Sequence, residues 1–363
     1  MYEFHWPTRT LIGRGLIEHV GEYAVPSRAT GGMLLVAPRE EWARSLVRRI
    51  ARLLRDAGWE RVEIFDEVEP NPSWGTVMRG VERGKTAGAR AVLAVGGGST
   101  MDAGKVIAER GGAAFLCTVP TTAGTGGEIS PWAVISNLDT RDKDSVVAKW
   151  PDVALLDPEL TLSLPPEATY FTGVDALAHG VEAYLSSNAT PITDALAWEA
   201  VNLVAHNLHT VVTEGGDLSA RQAMLEGSLL AGAAMLWAGL GLAHAIANPM
   251  GGLFHDLAHG HVLASCMESV VRFNAPAAPT RVERLRPVLE RALAGMDVLA
   301  ESLTIGPVVI PEGELSVLAQ KSIANVNVRS NPRPVTEDDV IAVARESFRV
   351  VCEDAPEQAT ETR

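Results

Sequence analysis

Between residues 31 and 120, short apolar runs alternate with helix-periodic stretches, and few folds accept that rhythm. GGMLLVAP (31–38), RVEIFDEV (61–68), ARAVLAVGG (89–97) and AAFLCTVP (113–120) read as strands. Helical patterns from about Glu40 to Ala57, Trp74 to Gly88 and Asp102 to Arg110 lie between them. Strands that alternate with helices are joined by crossovers, so they build a mostly parallel sheet. After Leu164 the pattern changes to a long series of helical segments, with no convincing strand before GPVVIP (306–311). A chain of 363 residues is too long for one ordinary core. We expect an α/β domain over 1–165 and an all-helical domain over 166–363, divided in the proline-bearing LSLPPEA.

Charge narrows the partners. The chain has 31 basic against 45 acidic side chains, a net charge of −14, and no Lys/Arg run interleaved with aromatics. That balance argues against nucleic acid as a partner. Cys117, Cys266 and Cys352 form no C-x-x-C pair and suit a reducing cytoplasm. The opening MYEFHWPTRTLIGRG lacks the apolar core of a signal peptide. Leu229 to Ala247 carries no Asp, Glu, Lys or Arg and is long enough to span a bilayer. Its Ala/Gly richness, its His244 and its lack of a basic flank favour a buried core helix, so no membrane partner is expected.

Two loops suit phosphate. AVLAVGGGSTMDAGK reads as strand, tight glycine turn and helix, which lets backbone N–H groups approach a pyrophosphate. It is neither the G-x-G-x-x-G fingerprint, since Met101 stands at the last glycine, nor a Walker A loop. Alone it is equally well a structural turn. VPTTAGTGGE adds a second such loop after a strand, with Thr121, Thr122 and Thr125 beside glycines, as suits a dinucleotide lying across the sheet edge.

Metal chemistry is suggested further on. In FTGVDALAHGVEAY, Asp175 and His179 stand four apart, on one helical face. His244 and His259 follow in GLAHAIANPMGGLFHDLAHGHV. If the segments meet, one oxygen and three nitrogens face a single divalent ion. Each residue alone has an ordinary explanation: a local hydrogen bond, a satisfied core histidine, a turn cap. The joint pattern carries the inference.

GGGSTMDAGK, PTTAGTGGE, DPELTLSLP, GVDALAHGVEAY and NPRPVTEDDVIAVA together resemble the iron-containing (group III) alcohol dehydrogenase family, in its order, over about residues 10 to 349. The resemblance implies a dinucleotide-binding α/β domain, a helical domain, an active site in the cleft between them, and NAD(P)-linked interconversion of an alcohol with an aldehyde or ketone. It implies metal ligands at Asp175, His179, His244 and His259, with Fe(II) favoured and Zn(II) the common substitute. Cofactor contacts carry over onto Gly97, Gly98, Ser99, Asp102, Thr121, Thr122 and Thr125. Asn71 in EPNPS matches an asparagine near the nicotinamide, Lys143 a lysine near the ribose, and Leu160 and Leu164 the adenosine side.

Three positions depart from the family pattern. Pro38, followed by Arg39, stands where many members carry an Asp that binds the adenosine ribose, which makes NADP use plausible, although Glu40 and Glu41 oppose it. Asn248 replaces a proton-passing histidine, for which His255 is the nearest substitute. The interval from His244 to His259 is one residue longer than expected, so the last ligand could shift to His261. Trp132, Trp150, Trp237 and Phe254 are candidates to shape a substrate pocket, and Arg329 and Arg333 to bind an anionic group. A homodimer or higher homo-oligomer is expected, with a small alcohol or aldehyde as substrate. The alternatives are a dehydroquinate synthase-like lyase, a maleylacetate reductase-like or glycerol dehydrogenase-like oxidoreductase, and a non-catalytic binding module.

Overall fold

The computed structural model describes residues 2–24, 31–140, 142–254 and 256–352. The first half runs β1 (Arg9–Ile12), a short α1 (Val20–Tyr23), β2 (Gly32–Pro38), α2 (Ala43–Asp56), β3 (Val62–Val68), α3 (Trp74–Ala87), β4 (Ala89–Gly96), α4 (Gly98–Gly111) and β5 (Phe115–Pro120). A hairpin of β6 (Trp132–Asn137) and β7 (Asp142–Val147) follows, then β8 (Val153–Leu156).

Six strands form one sheet in the order β1-β8-β5-β4-β2-β3, with every pair parallel. β2 shows how it is held. Met33, Leu35 and Ala37 pack with Ile50 and Leu54 of α2, while Leu34 and Val36 pack with Val77 and Val81 of α3 and Ile107 of α4. Successive side chains point to opposite faces and both faces are covered, so an unbroken apolar run is required. β3 is added outside β2, and β4 returns to the other side of β2. That reversal is the topological position at which open α/β sheets bind dinucleotides, beside the C-terminal ends of the strands.

The second half contains α5 (Pro166–Leu185), α6 (Pro191–Thr213), α7 (Leu218–Ala238), α8 (Leu242–Leu253), α9 (His259–Asn274), α10 (Pro279–Ser302), α11 (Leu315–Ala324) and α12 (Glu337–Ser347). A proline opens α5, where its missing N–H costs nothing. Every residue from Gly173 to Leu185 is buried, so α5 is the central helix of this half.

Three expectations are corrected. The second half is not all helical: β9 (Val309–Pro311) pairs in parallel with β10 (Arg349–Val351), strands too short to show a period. α4 starts at Gly98 rather than Asp102, because the Gly97 carbonyl already accepts from the N–H groups of Thr100 and Met101. The apolar stretch from Leu229 is two helices rather than one, bent by 102° between Ala238 and Leu242. Among the described residues no single helix is long and apolar enough to cross a membrane, and only this bent pair reaches the required length together. Its Ala233, Ala234, Leu242, Ile246 and Ala247 are buried in the core.

The two halves touch backbone to backbone where the loop after β5 meets α7. A Cβ on Gly232 would lie 2.8 Å from the Cα of Gly126. This contact holds the second threonine-rich loop against the helical half.

Candidate metal centre and cofactor cleft

α5 presents Asp175, His179 and Glu182 on one face, spaced four and then three residues apart. His244 lies in the first turn of α8, and His259 opens α9. All three imidazoles gather on one carboxylate oxygen. Asp175 Oδ1 is 3.3 Å from His244 Nε2, 3.6 Å from His179 Nε2 and 3.7 Å from His259 Nε2. Ligands bound at about 2.1 Å and tetrahedral angles around one ion sit about 3.4 Å apart. The donor atoms of Asp175, His244 and His259 all lie within 4.8 Å of one another, as a shared ion requires. The His179 ring stacks on His244 with centroids 4.4 Å apart, and its buried Nδ1 has no hydrogen-bond partner among the described residues. Asp175, His244 and His259 therefore fit a shared divalent cation, and His179 stands beside them with its Nε2 3.6 Å from the same carboxylate oxygen.

His261 does not take the last position. Its Nε2 lies 2.8 Å from the Gly306 carbonyl and its ring stacks on Phe171.

Glu182 completes the site and escaped the sequence reading. His244 Nδ1 lies 2.6 Å from Glu182 Oε2, and the Ala243 N–H donates to Oε1 at 2.6 Å. An Nδ1–H donated to Glu182 leaves Nε2 free to coordinate, as in a carboxylate–histidine–metal arrangement. The available signal was its spacing, seven residues after Asp175.

Burial would raise the Asp175 carboxyl, but the imidazole of His179, with those of His244 and His259, holds it well below the usual carboxylate range. Burial lowers His179 to about 4 and His259 to about 3. For His244 burial is outweighed by hydrogen bonds to Asp175 and Glu182, and the group is raised to about 9.

The cofactor side converges on Asn71, in the loop between β3 and α3. Its backbone is left-handed (φ 54°), a conformation asparagine tolerates. Its N–H donates to Ser99 Oγ at 3.1 Å, its carbonyl accepts from Ser136 Oγ at 2.9 Å, and its Oδ1 accepts from Lys143 Nζ at 2.9 Å. Thus the glycine turn, the β3–α3 loop and the hairpin meet at one residue. Lys143 also reaches the metal side: a Cβ on Gly251 of α8 would lie 2.9 Å from its Nζ. Its positive charge contributes to lowering His259, after burial. Burial lowers Lys143 itself.

The two phosphate loops interlock. A Cβ on Gly97 would meet Thr122 Cγ2 at 3.3 Å, and one on Gly98 would meet Thr125 Cγ2 at 2.7 Å. The Thr121 N–H donates to the Gly96 carbonyl at 2.9 Å. Gly124 in turn lies against Thr172 of α5, three residues before Asp175.

One buried lysine ties these parts together. Lys105, on α4, is fully buried; its Nζ donates to the Gly127 carbonyl at 3.1 Å, to the Trp132 carbonyl, and to Asp102 Oδ1 at 2.9 Å. Asp102 Oδ2 accepts the Val134 N–H at 3.0 Å. The three ammonium donors are thus all used. Asp102 holds the hairpin to α4 rather than standing free in the cleft.

Other candidates lie as follows. Leu160 is buried in the apolar cluster beneath α2, and Leu164 is half-buried. Trp132 is 48 % exposed on the hairpin, Trp150 meets His5 edge-on, Trp237 packs on Phe4, and Phe254 borders the helical core. Arg333 is not available to an anionic substrate: it stacks on Phe273, donates to the Phe273 carbonyl at 3.1 Å and pairs with Asp339 at 3.5 Å. Arg329 is exposed on the short 3-10 turn Val326–Ser330. Asn248 is half-buried on α8, four residues beyond His244, and His255 lies outside the described residues.

Residues 7–158 match the iron-containing alcohol dehydrogenase family, and residues 169–348 match the C-terminal region of the Fe-containing alcohol dehydrogenase family. The chain belongs to the iron-containing alcohol dehydrogenase family, oxidoreductases that act on CH–OH groups. It is 37% identical to the 1-propanol dehydrogenase PduQ of Salmonella typhimurium, over 77% of this chain and 84% of that one. It is 33% identical to the 1,3-propanediol dehydrogenase of Klebsiella pneumoniae, over 96% of this chain and 99% of that one. The NAD-dependent methanol dehydrogenase of Bacillus methanolicus is 31% identical, over 96% of this chain and all 100% of its own length. The crystal structure of a 1,3-propanediol oxidoreductase superposes with a TM-score of 0.87 at 31% identity, covering 96% of this chain and 100% of that one.

The pKa pattern predicts how a metal enters. Near pH 7 His244, raised to about 9, carries a proton that an ion must displace, whereas His179 (about 4) and His259 (about 3) are already neutral. Binding should release about one proton per ion near neutrality, falling toward none as pH rises through about 9, so affinity grows about tenfold per pH unit below that. Calorimetry in buffers of different ionisation enthalpy measures this; no proton release near neutrality would contradict it. For Lys105→Met, loss of a buried charge pair should cost about 3–5 kcal/mol in urea unfolding. Displacing the elements it joins should raise the KM for the nicotinamide cofactor about ten- to hundredfold, with metal content unchanged. A folded variant with the wild-type cofactor KM would show that the three elements hold without it.

Proposed function

We propose that the chain interconverts a short primary alcohol and its aldehyde with a nicotinamide dinucleotide, using Fe(II) held by Asp175, His179, His244 and His259. The observation that carries this reading is the gathering of three imidazole nitrogens on one carboxylate oxygen, within electrostatic reach of Lys143. A divalent ion at that point supplies the Lewis acidity that stabilises an alkoxide or polarises a carbonyl. Glu182 fixes the ring of His244. Backbone N–H groups of Gly97, Gly98 and Ser99 at the start of α4 receive the pyrophosphate, aided by Thr121, Thr122 and Thr125. Asn71 and Lys143 hold the ribose and nicotinamide end, and Leu160 and Leu164 support the adenosine side.

The donor set contains no thiolate and suits Fe(II), with Zn(II) able to replace it. Relatives named for 1-propanol, 1,3-propanediol and methanol support a small alcohol as substrate. NAD(H) is the cofactor suggested by the NAD-dependent relative. NADP(H) is accepted as well in this proposal, because buried Pro38 brings no carboxylate to the end of β2 and exposed Arg39 forms no ion pair among the described residues. Glu41, which opposed that view, pairs instead with Arg44 at 2.5 Å. Asn248 cannot carry a proton, so the hydroxyl proton leaves by another route. We further propose a cytoplasmic homodimer with no nucleic-acid or membrane partner.

Steady-state kinetics on protein refilled with Fe(II) without oxygen tests the reading, with a panel of short alcohols and aldehydes and both cofactors. His259→Ala should strip the metal and abolish turnover while keeping the circular dichroism spectrum; full turnover would defeat the proposal. Arg39→Ala should lower kcat/KM for NADPH about tenfold or more and spare NADH. Equal effects on both cofactors would remove Arg39 from the 2′-phosphate.

A further inference from the structure

α8 starts without a local cap. Its N-cap is Gly241, which has no side chain, yet the first-turn N–H groups need acceptors. Two remote side chains provide them. The Leu242 N–H donates to Asn331 Oδ1 at 3.1 Å, and the Ala243 N–H donates to Glu182 Oε1 at 2.6 Å. No side chain fits at position 241, where a Cβ would lie 2.8 Å from Asn331 Oδ1 and 2.9 Å from Glu182 Oε1.

Asn331, 7% exposed, uses its whole amide. Its Oδ1 also accepts from Asn274 Nδ2 at 3.1 Å, and its Nδ2 donates to Asn274 Oδ1 at 2.8 Å and to the Arg333 carbonyl at 2.7 Å. Two donors face one end of the amide and two acceptors the other, so the network sets its orientation. Next to it, Ser330 Oγ donates to the Leu240 carbonyl at 2.7 Å. The segment SNPR, 89 residues from the helix start it holds, clasps the bend between α7 and α8.

We infer that Asn331, oriented by Asn274, is a positioning residue for the metal centre, fixing the first turn of α8 and through it the imidazole of His244. This rests on His244 being a ligand. The physical reason is tolerance: a ligand nitrogen must stay within a few tenths of an ångström of its place. The buried Asn274–Asn331 pair removes the freedom of the turn that carries it. Asn331 touches neither cofactor nor reacting atoms.

The test is Co(II) binding to metal-stripped protein, followed by visible absorption and by competition with a chelator. Asn331→Ala should weaken Co(II) binding about 10- to 100-fold, the usual loss for an outer partner of a metal ligand, and change the visible band. Val326→Ala, at an exposed position of the 3-10 turn that precedes Asn331, should match wild type. A folded Asn331→Ala protein that binds Co(II) within twofold of wild type, even with a lower Tm, overturns the inference. If Asn331→Ala does not fold, Asn274→Ala is read in the same way, since it leaves Asn331 in place but frees its amide. Wild-type protein that binds no Co(II) would instead remove His244 as a ligand, and the inference with it.

Discussion

The buried carboxylate of Asp175 is the point on which both halves of the site depend. An anion in a helix-lined interior is costly unless opposite charge and hydrogen bonds surround it. Here three imidazoles converge on it, and a second buried carboxylate, Glu182, lies about two turns along the same helix. One divalent cation would balance two such buried negative charges. Against the effect of burial, the hydrogen bonds from His244 to both carboxylates raise its pKa to about 9, so a proton held there offsets part of that charge. The demand for positive charge is therefore built into α5, whichever species satisfies it.

The α/β half meets this centre through polar residues on elements that contribute little apolar burial. β7 reads DKDSVV and has no fully buried residue, yet it carries Lys143 to Asn71 and to the face of α8. What keeps so polar a hairpin in place is its attachment: Ala133 and Ile135 of β6 reach the core, and the Lys105–Asp102 pair holds its backbone. Rigid strands thus place the glycine turns, while the hairpin supplies the charged contact between cofactor cleft and metal centre.

The same contrast explains what was legible in the sequence. β2, the inner part of β4 and most of β5 are apolar because both faces are covered, so they stand out as runs. β1 (RTLI) and β8 (VALL) are four residues long and owe their pairing to each other across the chain, which no local pattern records. Asp175, His179, His244 and His259 were singled out by spacing and by family resemblance, and the structure brings the three imidazole nitrogens to within 3.7 Å of Asp175 Oδ1. Glu182 and Lys105 were missed for a common reason. Both are charged residues on helices, where a charge is ordinarily solvated, and only the fold shows them buried and fully engaged. For Arg333 the sequence left an anion-binding role and a salt bridge equally open, and the fold shows the latter, with Phe273 and Asp339 as partners.

The apolar stretch from Leu229 to Ala247 shows why the break matters more than the composition. Nothing in its hydropathy distinguishes one helix from two; the signal lay in the glycines of AGLGL. Had α7 continued straight, His244 would stand about 9 Å beyond Ala238 along its axis, carried away from Asp175 rather than turned toward it. The 102° bend returns the chain to α5. A bend, however, begins a new helix and exposes new N–H groups that must be satisfied inside the protein. Glu182 answers that need with one carboxylate oxygen on Ala243 while the other orients the ring of His244. Capping the helix and orienting the His244 ring are one interaction, so the turn cannot loosen without loosening the imidazole.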